Sequence, residues 1–480
     1  MKTLIQGGFV VGFDGKGHEV IRDGVVVFEK DRILFVGKQF PGPVDRRIEA
    51  KGSLITPGFI DTHFHSGSNA SDYLLNEPDK PDFFAANYLA HGAPLRGKAK
   101  FAHFKDVDVG QRFSLVHILK SGVTTVLDIG GPGGDPERYV EMVGELGIRC
   151  YAGPSYKNVD FLHDGEGRLE YDWSDERGSE GLKRAIAFAK KFGGSCNGRL
   201  GTMLFPGHVD SCTPELLQQT RKEAKELGVR VQIHAAINLI EFHTVMKRYR
   251  RTPLELLKEI GFLDNEVSLS HCIFLSGHSW TAYPYGDDLK LIADAGVSVA
   301  HSPLKYLKIG ASMESFDRYR RAGINVALGT DTFPKDIISE MRYAALVSRL
   351  VEKSFMAGHP RDVFNSATLG GAKLLGREDL GRLEKGAKAD IVVVNLKDIA
   401  FGAIRDPIKG LVETGTSRDV QVVIVDGEIL VDGGKCLRVD EAGLMDKLQS
   451  RAEGIWEEIP KWHWTGKGVD EVLPPAFNMK

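Results

Sequence analysis

Ser53-Leu54-Ile55-Thr56-Pro57-Gly58-Phe59-Ile60-Asp61-Thr62-His63-Phe64-His65 runs from an apolar stretch into two histidines one residue apart. In an extended strand alternate residues share a side, so His63 and His65 present their imidazoles together. Two neutral imidazoles on one face can chelate a divalent metal. The apolar stretch behind them buries the strand, so any further ligands must come from the ends of other strands.

The rest of the chain is compatible with that demand. Its 480 residues predict two or three domains, unless one is a large α/β barrel. A hydrophobic fraction of 42% and a charged fraction of 26% are those of an ordinary soluble globular protein. A net charge of −3 offers no basic surface for nucleic acid. No apolar run approaches the ~18 residues of a membrane span, and the N-terminal stretch turns polar too soon for a secretory signal. Five cysteines, scattered and without a CxxC pair, argue against a disulfide framework and for a reducing cytoplasm. Cys272 reads as a buried structural thiol.

Residues 1–56 read as short strands separated by glycines and charged turns, which fits a small antiparallel sheet. The same texture returns in Ala389–Val394 and Val420–Val425, the latter followed by the hairpin signal Asp426-Gly427. A β domain built from both termini follows. Between them, about eight apolar strands alternate with helical patterns, the count of a (β/α)8 barrel. The Thr213-Pro214 pair opens one of these helices as a cap followed by proline. Residues 66–120 form a long insertion containing Tyr73, Phe83, Phe84, Tyr88, Phe101 and Phe104. It either walls the site or packs on a neighbouring subunit. The segment 437–480, with Trp456, Trp462 and Trp464, is expected to lie over the body.

The strand ends carry the chemistry. The first ends in His63-Phe64-His65, and later ones end in His234, His271 and Asp331. In a barrel these ends converge at the mouth. Three imidazoles and one carboxylate suit zinc, iron(II), cobalt or manganese and leave a coordination position for water.

Four motifs give the chain a resemblance. Thr56–His65, Gly122-Val123-Thr124-Thr125-Val126, Gly329-Thr330-Asp331 and Gly386–Val393 resemble signatures of the amidohydrolase superfamily. The resemblance implies a metal-dependent barrel over 57–385 and a β-sandwich from 1–56 with 386–436, which leaves 437–480 as the extension over the body. It points to the mononuclear branch of cytosine, guanine and adenosine-type deaminases, triazine hydrolases and phenylurea or thiocarbamate hydrolases. Binuclear members carry a lysine at the end of the fourth strand. Here that strand ends Phe205-Pro206-Gly207-His208, and Lys157 after the third strand is a poor substitute. The implied ligands of one divalent ion, zinc before iron, cobalt or manganese, are His63, His65, His234 and Asp331. His271 would contact the attacking water or the substrate oxygen, with His208 and His301 lining the pocket. A homo-oligomer is also implied.

Two departures shape the expected activity. Deaminases of this branch carry a glutamate three residues after the fifth-strand histidine, where this chain has Ile237. Glu241, a turn further on, either nears the pocket or forms a surface salt bridge, and the surface role is the one expected. Lys305-Tyr306 stands where relatives have Ser-Asn. With Asn238, Glu241, His208 and His301, these two complete the candidate substrate-binding residues. Both departures argue for cleavage of a carbonyl C–N bond in an amide, urea or carbamate, of the phenylurea kind, with His271 and Asp331 handling protons. Deamination of a nitrogen heterocycle and a noncatalytic assembly barrel are the alternatives. The expected partner is a small molecule, with neither nucleic acid nor membrane.

Overall fold

The computed structural model describes residues 1–67, 93–98, 107–166, 168–472 and 474–477. Tyr73, Phe83, Phe84, Tyr88, Phe101 and Phe104 lie outside the described residues, as does most of the 66–120 insertion they belong to.

Eight strands carry the central part: β1 (Phe59–Phe64), β2 (Val123–Ile129), β3 (Arg149–Gly153), β4 (Leu200–Thr202), β5 (Val231–Ala235), β6 (Val267–His271), β7 (Ser298–His301) and β8 (Asn325–Leu328). They form two parallel sheets of four, ordered β4-β3-β2-β1 and β5-β6-β7-β8. Isolated parallel bridges connect the two sheets: Phe64 with Asp331 on one side, Leu204 with Val231 and His208 with His234 on the other. Every residue of β1, β2, β5, β6 and β7 is buried. That is why these strands read as apolar runs rather than as alternating patterns.

The helices between them begin and end where local chemistry directs. Thr213 caps Pro214–Leu227 by accepting from the Leu216 N–H at 3.2 Å, and Gly228 closes that helix in the left-handed conformation. One glycine is set by close approach between strands. A Cβ on Gly58 would meet Thr124 Oγ1 at 2.0 Å, so the turn into β1 admits no side chain.

Both termini contribute to a single nine-stranded sheet. Its order is Lys435–Cys436, Glu428–Asp432, Val420–Val425, Ile391–Asn395, Arg46–Pro57, Lys2–Phe13, Val25–Glu29 and Arg32–Gly37, with His18–Arg22 paired onto Lys2–Phe13. The expected antiparallel sheet needs one correction, because Lys2–Phe13 pairs parallel with Arg46–Pro57. Ile5, Val26, Ile55, Ile391, Val393 and Ile424 belong to an apolar cluster of this sheet's own.

The helix Glu441–Trp462 lies against the body, joined to Lys120 through Glu441 at 2.5 Å, with Trp462 buried. All five cysteines are free, and Cys272 is buried as expected. Among the described residues no helix is long and apolar enough to cross a membrane.

Candidate metal centre

His63 is the last residue but one of β1, His234 lies in β5, His271 ends β6, and Asp331 follows β8. The bridges at Phe64–Asp331 and His208–His234 bring these strand ends together. The His63 ring lies 5.0 Å from that of His65, 4.8 Å from that of His234 and 4.6 Å from that of His271. Asp331 Oδ2 is 3.4 Å from His271 Nε2 and 3.8 Å from His63 Nε2. A Cβ on Gly329 would fall 2.7 Å from the His63 backbone nitrogen, so the strand carrying Asp331 can reach His63 only with glycine there. Asp61 ties the same two elements together, accepting from the Thr330 hydroxyl at 2.6 Å and the His63 N–H at 3.1 Å.

Each imidazole of the His63, His65 and His234 set is held by its Nδ1. The His63 Nδ1–H is shared by Gln232 Oε1 at 3.0 Å and Ser270 Oγ at 2.8 Å. His65 donates to the Ile129 carbonyl at 3.0 Å, and His234 to the Gly207 carbonyl at 2.9 Å. This fixes the tautomer that turns the Nε2 lone pairs inward. His65 Nε2 and His234 Nε2 then face each other at 3.3 Å, and the buried His63 Nε2 has no hydrogen-bond partner among the described residues. Converging lone pairs fit a bound cation. Ligand atoms of His63, His65 and His234 lie within 4.8 Å of one another, as do those of His63, His271 and Asp331.

The charge states suit the same chemistry. Burial pushes the three imidazoles down to about 3, so each is neutral at neutral pH. Burial also keeps His271 well below its usual value. For Asp331 burial works upward, but the Lys305 ammonium, 4.0 Å from Oδ1, holds the carboxyl well below its ordinary range. It stays ionised. Ala236, His271 and Asp331 are non-glycine residues with φ of 51°, 76° and 57°, so the ends of β5, β6 and β8 are strained where they meet.

The remaining sequence candidates divide. His208 packs its ring 4.8 Å from that of His234, and Phe161 stacks on it at 6.0 Å from the hairpin Val159–His163 and Leu169–Trp173. Tyr306 sets its ring 5.0 Å from His271, and Lys305 stands beside Asp331. His301 is buried at the end of β7 but makes no ring contact with the cluster among the described residues. Asn238 is taken up by the fold, its amide oxygen capping the Leu239–Tyr249 helix through the Glu241 N–H at 2.8 Å. The surface role expected for Glu241 is wrong. The side chain is fully buried, because the first turn of that helix folds back and brings its carboxyl onto the Ile237 N–H at 2.6 Å.

Gln232, Ser270 and Asp61 were not singled out from sequence. Gln232 and Asp61 stand two residues before His234 and His63, on the same side of their strands, a signal that was there to read. Lys335 was also missed. Its buried ammonium donates to the His65 carbonyl at 3.0 Å and to the Asp331 carbonyl.

Comparison with known proteins adds the following. A family model described as "Amidohydrolase family" matches residues 54–430. The 5'-deoxyadenosine deaminase of Methanosarcina barkeri is 28% identical over 456 residues, covering 94% of this chain and 98% of its own. The 5-methylthioadenosine/S-adenosylhomocysteine deaminase of Thermococcus sibiricus is 29% identical over 435 residues, covering 90% and 94%. A zinc-bound adenosine deaminase from Xanthomonas campestris has the same fold, with a TM-score of 0.79 at 20% identity over 94% of this chain and 98% of that one. These relatives overturn the expectation of amide, urea or phenylurea cleavage. Proteins alike over nearly their whole length are named as nucleoside deaminases.

Proposed function

The chain belongs to the amidohydrolase family, and from that premise we propose that it is an aminohydrolase, releasing ammonia from the ring amine of an adenine-type nucleoside or a related nitrogen heterocycle. It is a metal-dependent hydrolase of carbon–nitrogen bonds. The observation that carries it is the cluster of inward Nε2 lone pairs beside an ionised Asp331, in a chain alike end to end with nucleoside deaminases.

His63, His65, His234 and Asp331 would hold one divalent ion, zinc being the first choice on the donor set. When bound, such an ion supplies Lewis acidity and makes water easier to deprotonate. Asp331, anionic, accepts a proton from the attacking water. His271, neutral and 3.4 Å from Asp331, orients that carboxylate and hydrogen-bonds the oxygen being added. Tyr306 packs against His271 and restricts its ring. Phe161, stacked on His208, adds an aromatic side chain beside the imidazole cluster. We also take 57–385 as a closed (β/α)8 barrel, with the sheet of 1–56 and 386–436 as a second domain. The bridges between the two parallel sheets support this reading.

The test is ammonia release by metal-loaded protein from 5'-deoxyadenosine, methylthioadenosine, S-adenosylhomocysteine and free nitrogen heterocycles. Stoichiometric ammonia from a member of this panel supports the reading. Metal-loaded protein that leaves every heterocyclic amine intact would refute it.

A further inference from the structure

The end of the helix Glu441–Trp462 and the tail after it reach the insertion that follows His65. Pro94 and Leu95 of that insertion stand between the tail and the hairpin of Val159–His163 and Leu169–Trp173. Pro94 bridges antiparallel with His463, and Leu95 bridges parallel with His163. The Leu95 N–H donates to the Trp462 carbonyl at 2.9 Å, the His163 N–H to the Pro94 carbonyl at 2.8 Å, and the Arg96 N–H to the His163 carbonyl at 2.9 Å. Trp464 stacks on His163 with ring centres 4.8 Å apart and planes 21° from parallel. Arg96 also pairs with Glu170 at 2.8 Å, but an exposed ion pair holds little, so the backbone bonds and the ring stack carry the junction. The tail has apolar support of its own, since Ile459, Trp462 and Val472 form a cluster apart from the main core.

Midway along its length the same hairpin meets the segment beside the metal centre. Phe161 stacks on His208, whose ring lies 4.8 Å from that of His234. Tyr171, directly opposite Phe161 in the hairpin register, packs edge-on to it at 5.1 Å and donates to Asp210 Oδ2 at 2.9 Å. The Lys157 ammonium lies 4.8 Å from the centre of the Phe161 ring. Two strands alone make a marginal structure, so where this hairpin sits depends on both attachments, His208 and Asp210 at one and the insertion with the tail at the other. The bonds that orient His63, His65 and His234 come from Gln232, Ser270, Ile129 and Gly207, none of them in the hairpin or the tail.

We propose that the C-terminal segment is a strap that sets one side of the substrate site, holding the hairpin, and with it Phe161, against His208 through Leu95 and His163. What it says of substrate rests on the aminohydrolase reading. Leu95, His163 and Trp464 are positioning residues, acting through Phe161 and His208 rather than on the reacting atoms. A hairpin released from the strap has to be ordered by the substrate on binding, which weakens affinity, while the metal-facing groups keep their own supports.

Trp464→Ala tests this in the full chain loaded with metal. The expected result is faster exchange of the His163 and Arg96 amides, whose N–H groups donate across the junction, and a KM raised about 10-fold with kcat and metal content near parental values. Trp464→Phe keeps a ring on His163 and should restore most of the KM. Leu95→Pro removes the N–H that donates to Trp462 without altering the tail, should raise KM in the same way, and decides the matter if Trp464→Ala does not fold. Unchanged exchange in the folded variants would overturn the proposal. So would an unchanged KM, which would make the tail structural only, or a fall in kcat with loss of metal, which would make it a support of the metal centre. If the unaltered protein deaminates nothing, the aminohydrolase reading falls, while amide exchange still decides whether the tail holds the hairpin.

Discussion

Asp331 is the residue on which the most functions converge, as an ionised carboxylate facing His271 and His63 and as the backbone neighbour of Lys335. Asp331→Asn keeps the shape and removes the charge. It should lower kcat by about 10³-fold or more while the thermal midpoint stays close to that of the parent. A variant that turns over normally with its metal in place would remove Asp331 from the chemistry. Gln232 is buried, fixes the His63 tautomer and anchors itself through the Thr62 carbonyl and the Ser268 hydroxyl, both at 3.0 Å. Gln232→Ala should weaken metal binding about 10- to 100-fold in chelator competition, and an unchanged affinity would mean that Ser270 alone holds the ring. The metal-facing histidines were legible because a strand's two-residue period forces His63 and His65 onto one side. Ser270 and Lys335 were not, because their roles depend on which strand lies alongside, and no single segment states that.

At the scale of elements, the site depends on how closely β8 approaches β1. Gly329 sits where a Cβ would fall 2.7 Å from His63 N and 2.8 Å from His63 O. These are backbone atoms, and the His63 carbonyl already accepts the Asp331 N–H at 2.8 Å, so they cannot swing aside as a side chain would. Gly329→Ala should therefore cost about 1–3 kcal/mol of stability and also separate His63 from Asp331. The double loss can be read as a lowered urea midpoint together with a reduced metal content. Normal metal content in a destabilised variant would show that the strain is relieved elsewhere. The same scale explains why Glu241 was misjudged. A helical pattern gives the spacing of a face but not the angle at which the first turn leaves its strand, and Ala236, at φ 51°, bends the chain so that this turn faces inward. The strand count and the Thr213 cap survive because they depend only on local apolar runs and capping chemistry. The direction in which Lys2–Phe13 pairs does not, since alternation is the same for a parallel and an antiparallel neighbour.

Over the whole molecule, the terminal sheet and the central strands are joined by a buried charge network rather than by apolar packing alone. Arg149 of β3 is almost wholly enclosed and binds both Asp390 and Asp426, which flank strands of the terminal sheet, while its guanidinium also meets Thr125 of β2 at 3.2 Å. Asp426 in turn takes Lys388 at 3.0 Å and Arg199 at 3.2 Å. A buried pair of this kind adds little net stability compared with apolar residues of the same shape, but removing one partner leaves a buried charge only partly compensated. Asp390→Ala leaves Arg149 with half its acceptors and opens a cavity at the junction. It should lower the unfolding free energy by about 3–5 kcal/mol, read as a reduced midpoint in urea at constant slope. The centre at His63, His65 and His234 lies at the opposite ends of the strands from the Pro57–Gly58 junction, so metal content and KM of the folded variant should stay at parental values. Loss of metal without loss of stability would mean that the terminal sheet positions the site directly rather than supporting the strands that carry it.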